Sequence, residues 1–196
     1  MMDLLLRRRQ MMLAAEGPLR GYLIHGSPTI SGNIMTPTAG GFIYTPEPFD
    51  PGDEPWEITT RTTRAGSAGP GEIICTVGSD GSMVYGYIWK GIKSGSSEVA
   101  RQYASSNGTS WDLLSNYSTA GLMQSSGAAN MHVIRNGTTY SFQTKTTTRS
   151  TTLATAPRFG CHIAFGGGSS QTPIPFTFDL SETYITIGGK LWWSAI

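Results

Sequence analysis

The stretch from Pro175 to Ile196, PFTFDLSETYITIGGKLWWSAI, constrains this chain most. Phe176, Phe178 and Leu180 alternate with Thr177 and Asp179, the period of two that a half-buried strand requires. Tyr184-Ile185-Thr186-Ile187 reads as a second strand, and Gly188-Gly189 supplies the positive φ angles of a tight hairpin turn. Leu191 and Trp193 are expected to share one face of the returning strand. Two large aromatics would face water here unless a sheet held them. Trp192 and Trp193 are therefore expected in the core and at its rim, not as a ligand platform.

The same alternation recurs upstream. In WEITTRTTR, Trp56, Ile58 and Thr60 fall on one face and Glu57, Thr59 and Arg61 on the other. EIICTV reads as a buried strand and FGCHIAF as an alternating one, with Phe159, Cys161, Ile163 and Phe165 on one face. MVYGYIWKGI is apolar or aromatic on both faces, so it is either central or turns one face to a ligand. NMHVIRNGTTYSFQ carries Asn136-Gly137 between two alternating runs, the strongest short-range hairpin signal. Some ten to twelve strands of ordinary length suit a two-sheet antiparallel sandwich. A chain of 196 residues is one such domain, with or without an arm.

Residues 2–16, MDLLLRRRQMMLAAE, are the one helical passage: good helix formers run without Gly, Pro or β-branched residues until Gly17-Pro18 stops them. A helix of about four turns is marginal alone in water, so Leu5, Leu6, Met12 and Leu13 must dock on something, and Arg7, Arg8 and Arg9 place charge beside them. The dock is either the chain's own sandwich or another protein. We divide the chain into an arm, residues 1–20, and a sandwich, residues 21–196.

Composition narrows the function. Charged residues are only 14% and the net charge is +1, so nothing in the total points to nucleic acid. The arm holds four arginines against Asp3 and Glu16, and the remainder ten basic against eleven acidic residues. No run reaches the ~20 apolar residues of a membrane span. Leu4-Leu5-Leu6 precede the arginines, the reverse of a secretory signal, so no export leader is expected. Cys75 and Cys161 lie in apolar runs and read as buried thiols; a disulfide would require their strands to be neighbours.

Catalytic motifs are missing. His25, His132 and His162 are scattered, and no Gly-x-Ser-x-Gly, phosphate loop or Cys/His arrangement appears. Asp50, Asp53, Glu54 and Glu57 cluster in a Pro-rich turn; a calcium site would use such oxygens, but the ligand ladder of a calcium loop is absent, and a solvated turn is the plainer account. No cofactor is expected. Sugar binding asks for aromatic faces beside planar hydrogen-bonding groups, for which Tyr87, Trp89, Trp111, Asn107 and Asn136 are candidates. Core packing competes for Tyr87 and Trp89, whereas Trp111 follows a turn.

In the closing stretch, the order and spacing of Phe176, Phe178, Asp179, Leu180, Tyr184, Ile185, Ile187, Gly189, Lys190, Trp192 and Trp193 resemble the last strands of concanavalin A-like (laminin G-like) lectin domains, and most of all the copies in phage and prophage structural proteins. Tyr103, Ser105, Gly108 and Trp111 resemble a mid-sheet turn of the same domains, with Asn107 in place of its usual Asp. The resemblance covers about residues 20–196. It implies an all-β, antiparallel two-sheet jelly-roll sandwich, behind the short α-helical arm, whose GSPTISGNIM strand pairs with the last strand. Hydrolases on this fold carry Glu-x-Asp-x-x-Glu, because acid and nucleophile must flank one bond; no such stretch is present. The resemblance thus implies a non-enzymatic phage virion protein of the tail fibre, head fibre or decoration class. Its arm would be mounted on other virion proteins or on sister arms in a homo-oligomer, and its domain would bind a cell-surface glycan. A free carbohydrate-binding module of a bacterial surface system is the alternative, and a glycoside hydrolase the remoter one.

Overall fold

A computed structural model describes residues 18–64, 71–81, 84–94, 97–104, 112–118, 127–143, 148–152, 160–166 and 176–196. The expected helix with Leu5, Leu6, Arg7, Arg8, Arg9, Met12 and Leu13 lies outside them. Among the described residues sixteen strands run in chain order: β1 (Leu19–Arg20), β2 (Leu23–His25), β3 (Thr29–Ser31), β4 (Ile34–Thr36), β5 (Phe42–Tyr44), β6 (Trp56–Arg64), β7 (Gly71–Val77), β8 (Val84–Ser94), β9 (Ser97–Ala104), β10 (Asp112–Ser118), β11 (Gly127–Asn136), β12 (Thr139–Gln143), β13 (Thr148–Thr152), β14 (His162–Phe165), β15 (Phe176–Ile187) and β16 (Lys190–Ser194). The count exceeds the ten to twelve expected because Gly- and Pro-rich residues 19–44 break into five strands of two or three residues.

Nine strands form one sheet, in the order β1-β16-β15-β6-β11-β12-β13, with the β3–β4 hairpin attached through β4 to β15. Seven form the other, β10-β9-β8-β7-β14-β5-β2. The described pairings are antiparallel except β1 with β16, where Leu19 lies opposite Trp193. Leu19 and Arg20, grouped with the arm by sequence, are therefore part of the sandwich. The GSPTISGNIM segment does not pair with the last strand. Gly32 turns it at a φ of 58° into the β3–β4 hairpin, and β4 joins β15, with Met35 opposite Phe178.

The closing segment departs from expectation in two places. Phe176–Ile187 is one strand, not two, because β6 pairs along both of its halves. Residues 180–183 bulge between those halves. The bulge is held by hydrogen bonds from Leu180 N to Asn33 O (2.7 Å) and from Thr183 Oγ1 to Asp179 O (2.7 Å). Gly188 and Gly189 then turn at φ 58° and 75°, the left-handed pair a tight hairpin needs. A second irregularity, opposite Ile185 and Thr186, breaks the alternation of β16. As a result Trp193 is buried while Leu191 is exposed, so the two do not share a face. Trp193 stacks on Phe165 with ring centroids 5.5 Å apart and donates its indole N–H to Gly21 O at 2.7 Å. Trp192 is half-buried, its ring 5.3 Å from Phe49. Both tryptophans thus pack as the sequence implies.

Between the sheets lies a core that includes Ile43, Phe49, Trp56, Ile58, Ile74, Val133, Phe142, Phe165, Phe178 and Ile185. Alternation also drives Arg135 inward, where it is fully buried. Its guanidinium donates to Gly137 O (2.7 Å), Gly52 O (3.2 Å) and Glu54 O (3.0 Å), tying the β11–β12 turn to the loop before β6. Tyr140 is buried nearby, and burial pushes its phenol well above the ordinary range.

Cys75 and Cys161 are free and buried. Their strands are neighbours, yet Cys75 pairs with Ala164 and so lies three positions from Cys161. An odd offset sets the side chains on opposite faces, and three positions put the backbones about 10 Å apart, beyond disulfide reach. Cys161 belongs to the core, and burial raises its thiol pKa. Cys75 belongs to a second cluster with Phe42, Tyr44, Val77 and Ala164, on the outward side of the seven-stranded sheet.

Candidate functional site

The outer face of the nine-stranded sheet is polar. Backbone register aligns Gln143, His132, Thr59 and Tyr184 in one row across β12, β11, β6 and β15. The next row on one side holds Asn130, Arg61, Asp179 and Ile34. On the other side lie Ser141, Ile134, Glu57, Thr186 and Leu191. Ile58, Val133 and Ile185, each one residue away, align on the inner face, so the strands that build the core also fix this surface.

At its centre the side chains close on one another. The His132 Nδ1–H donates to Glu57 Oε1 at 2.7 Å. The Thr59 hydroxyl donates to the same oxygen at 3.1 Å, and its Oγ1 is 3.1 Å from His132 Nδ1. Thr59 is buried beneath the pair, while the side chains of His132 and Glu57 remain 26% and 33% exposed. The hydrogen bond from His132 holds the Glu57 carboxyl below its usual range, against the opposing effect of partial burial. Arg61 is exposed, Tyr184, Gln143 and Asn130 are half-exposed, and Ile34 and Leu191 add exposed apolar surface beside β15. Asp179 is occupied locally, its Oδ1 accepting from Ser181 N (3.1 Å) and Ser181 Oγ (2.6 Å). The surface offers donors, acceptors and one phenol ring to a hydroxyl-rich ligand.

The other histidines are structural. His25 stacks on Phe42 with centroids 5.0 Å apart, and the buried His162 donates from Nδ1 to Thr45 O at 2.7 Å. The acidic group of the Pro-rich turn disperses. Asp50 Oδ1 accepts from Gly52 N at 3.3 Å, the Glu54 carbonyl holds Arg135, and Glu57 turns to His132. Among the described residues no three His, Cys, Asp or Glu side chains gather to hold a metal ion. Nor, among them, is any helix long and apolar enough to cross a membrane.

Of the sequence-derived ligand candidates, Trp111 and Asn107 lie outside the described residues. Tyr87 and Trp89 sit on β8 of the seven-stranded sheet, opposite Cys75 and Ile74. Asn136 is exposed at the end of β11, on the polar face but four residues, about 13 Å, from His132. The structure therefore places Asn136 in one sheet and Tyr87 and Trp89 in the other. Sequence reasoning missed the Glu57–Thr59–His132 group. Glu57 and Thr59 on the outward face of WEITTRTTR were legible; His132 as their neighbour was not, because β6 and β11 pair across more than seventy residues.

No protein-family model matches the chain, and neither does any curated protein. Its fold does match solved structures. One is the CBM2 module of the evolved Dit protein of Lactobacillus casei BL23 phage J-1, with a TM-score of 0.57 and 12% identity over 91% of this chain and 86% of that one. Another is tailspike protein 2 of the Escherichia coli O157:H7 bacteriophage CAB120, with a TM-score of 0.59 and 9% identity over 87% of this chain but only 26% of that one. A third is the carbohydrate-binding module CBM66 of Bacillus subtilis, with a TM-score of 0.52 and 8% identity over 85% and 96%. At such identities the likeness is one of fold, and the fold is a jelly-roll β-sandwich of the lectin and glucanase type.

Proposed function

We propose that the chain is a structural protein of a bacteriophage virion, and that its sandwich binds a cell-surface glycan on the outer face of the nine-stranded sheet without cleaving it. The observation that carries this reading is the row of Gln143, His132, Thr59 and Tyr184, with its buttressed centre and its flanking Arg61, Asn130, Ile34 and Leu191. Sugars present hydroxyls and small apolar patches, and this surface complements both. Fold likeness to a phage carbohydrate-binding module and a phage tailspike supports the setting. The non-cleaving part rests on spacing. Asp179 lies opposite Arg61, four residues along β6 from Glu57, which sets the two backbone positions about 13 Å apart along the sheet. Each carboxylate is engaged locally, Asp179 by Ser181 and Glu57 by His132 and Thr59. Glycosidase pairs work at roughly 5–9.5 Å. Residues 1–17 are proposed to mount the domain on a neighbouring virion subunit or on sister copies of the same arm.

The test is a printed array of bacterial O-chains, capsular polysaccharides and teichoic acids. Saturable binding that Tyr184→Ala or His132→Ala removes, with no new reducing ends, is expected. Absence of binding across the array, or release of sugar ends, overturns the reading. Likeness to the Bacillus subtilis module favours one rival, a free carbohydrate-binding module. Mass spectrometry of purified particles separates the two, since a virion protein is present at stoichiometric copy number.

A further inference from the structure

We propose that Glu57 locks the imidazole of His132 with its proton on Nδ1, so that Nε2 faces the ligand as a bare hydrogen-bond acceptor. The inference deepens the glycan-binding reading and rests on it. An ionised carboxylate only accepts hydrogen bonds. Glu57 Oε1 stands 2.7 Å from His132 Nδ1 and also accepts from the Thr59 hydroxyl at 3.1 Å, so the proton between Glu57 and the ring belongs to Nδ1. A neutral imidazole has one N–H, which leaves the lone pair on Nε2. Among the described residues Nε2 has no hydrogen-bond partner, and it is not among the buried polar atoms left unpaired. It is therefore open to solvent on the half-exposed face.

The surroundings define what reaches that lone pair. Arg61 and Asn130 lie one row away, Gln143 is directly opposite His132 on β12, and Tyr184 is beyond Thr59 on β15. Arg61 is a donor only, and Gln143, Asn130 and Tyr184 can each donate. On a surface so rich in donors, Nε2 supplies an acceptor for a ligand hydroxyl. The ligand class is thus a neutral polyol such as a hexose chain, with one hydroxyl directed at Nε2. Glu57 touches no ligand in this scheme; it is a positioning residue.

Ring-nitrogen NMR of the 15N-labelled protein, at a pH where His132 is neutral, reads the tautomer without any ligand. The expected spectrum shows His132 protonated on Nδ1. Glu57→Ala should shift it toward Nε2 protonation, and Glu57→Gln, whose amide oxygen can still accept from Nδ1, should retain most of the wild-type pattern. On the O-chain, capsule and teichoic-acid array, Glu57→Ala should bind about tenfold more weakly, the loss of one hydrogen bond, with thermal melting confirming that it folds. A wild-type His132 protonated on Nε2 overturns the proposal. So does Glu57→Ala binding as tightly as wild type, which would leave the glycan reading standing. No wild-type binding anywhere on the array defeats the glycan reading and the ligand-facing role of Nε2 together, while the spectrum still decides the tautomer.

Discussion

The two sheets turn unlike surfaces away from the core. Outward on the nine-stranded sheet, His132, Glu57, Arg61 and Tyr184 are partly or fully exposed, and His132 is bonded to Glu57. Outward on the seven-stranded sheet, Phe42, Tyr44, Cys75, Val77 and Ala164 are as buried as the core itself. The difference follows from composition. β6 alternates Glu57, Thr59 and Arg61 with Ile58 and Thr60, whereas β5, β7 and β14 carry apolar residues on both sides. A strand that is apolar all along is stable only when both its faces are covered. The first sheet can therefore spend one face on recognition, and the centre of the second cannot.

If that contrast holds, substitutions should grade in cost by the surface they touch. The steepest loss belongs between the sheets. Phe165→Ala removes the ring stacked on Trp193 and should cost about 3–5 kcal/mol, read from denaturant unfolding. A loss under 1 kcal/mol would mean that the two sheets are not packed through this stack. Next comes the buried outward cluster of the seven-stranded sheet. Val77→Ala shortens a fully buried side chain of that cluster and should cost about 1–3 kcal/mol. A neutral effect would show water reaching this cluster and would erase the contrast between the sheets.

How far the sequence discloses this molecule depends on range. Local signals were legible: the Gly188–Gly189 turn, the hairpin at Asn136-Gly137 and the two faces of β6 each depend on neighbours a few residues away. The sheet order was not, because pairings such as β6 with β11 and β4 with β15 join distant segments. Bulges were hidden for a related reason. Leu191 and Trp193 look like one face until a register skip, set by the partner strand, separates them. The site fell into the same gap. Its centre is assembled from two strands, and aromatic residues drew attention while a Glu, a Thr and a His did not.

A gentler probe of the polar face is pH. The Glu57 carboxyl is held below the ordinary value of 4.5 by the hydrogen bond from His132. A depressed acid contributes stability above its unfolded value and loses it as pH falls through the folded one. The difference in Tm between wild type and Glu57→Gln should therefore shrink as pH drops below about 4.5. The pair is one-third exposed, so the effect is small. A difference that stays constant down to pH 3 would show that the hydrogen bond does not form in solution.

The smallest expected change in stability belongs to His132→Ala, and it carries the most weight for function. The imidazole lies outside the core, half-exposed, and its loss leaves Glu57 with Thr59 and with water to solvate it. Exposed pairs of this kind contribute about 0–1 kcal/mol, so the melting curve should scarcely move. Met131 and Val133 on either side are fully buried, and Val133→Ala should destabilise by about 1–3 kcal/mol through lost burial and a cavity. On a glycan-binding face the two variants should separate cleanly. His132→Ala should fold and lose the ligand, whereas Val133→Ala should be less stable and, wherever it remains folded, bind as wild type does. Equal loss of stability from both would make His132 a packing residue and remove the polar row as a site.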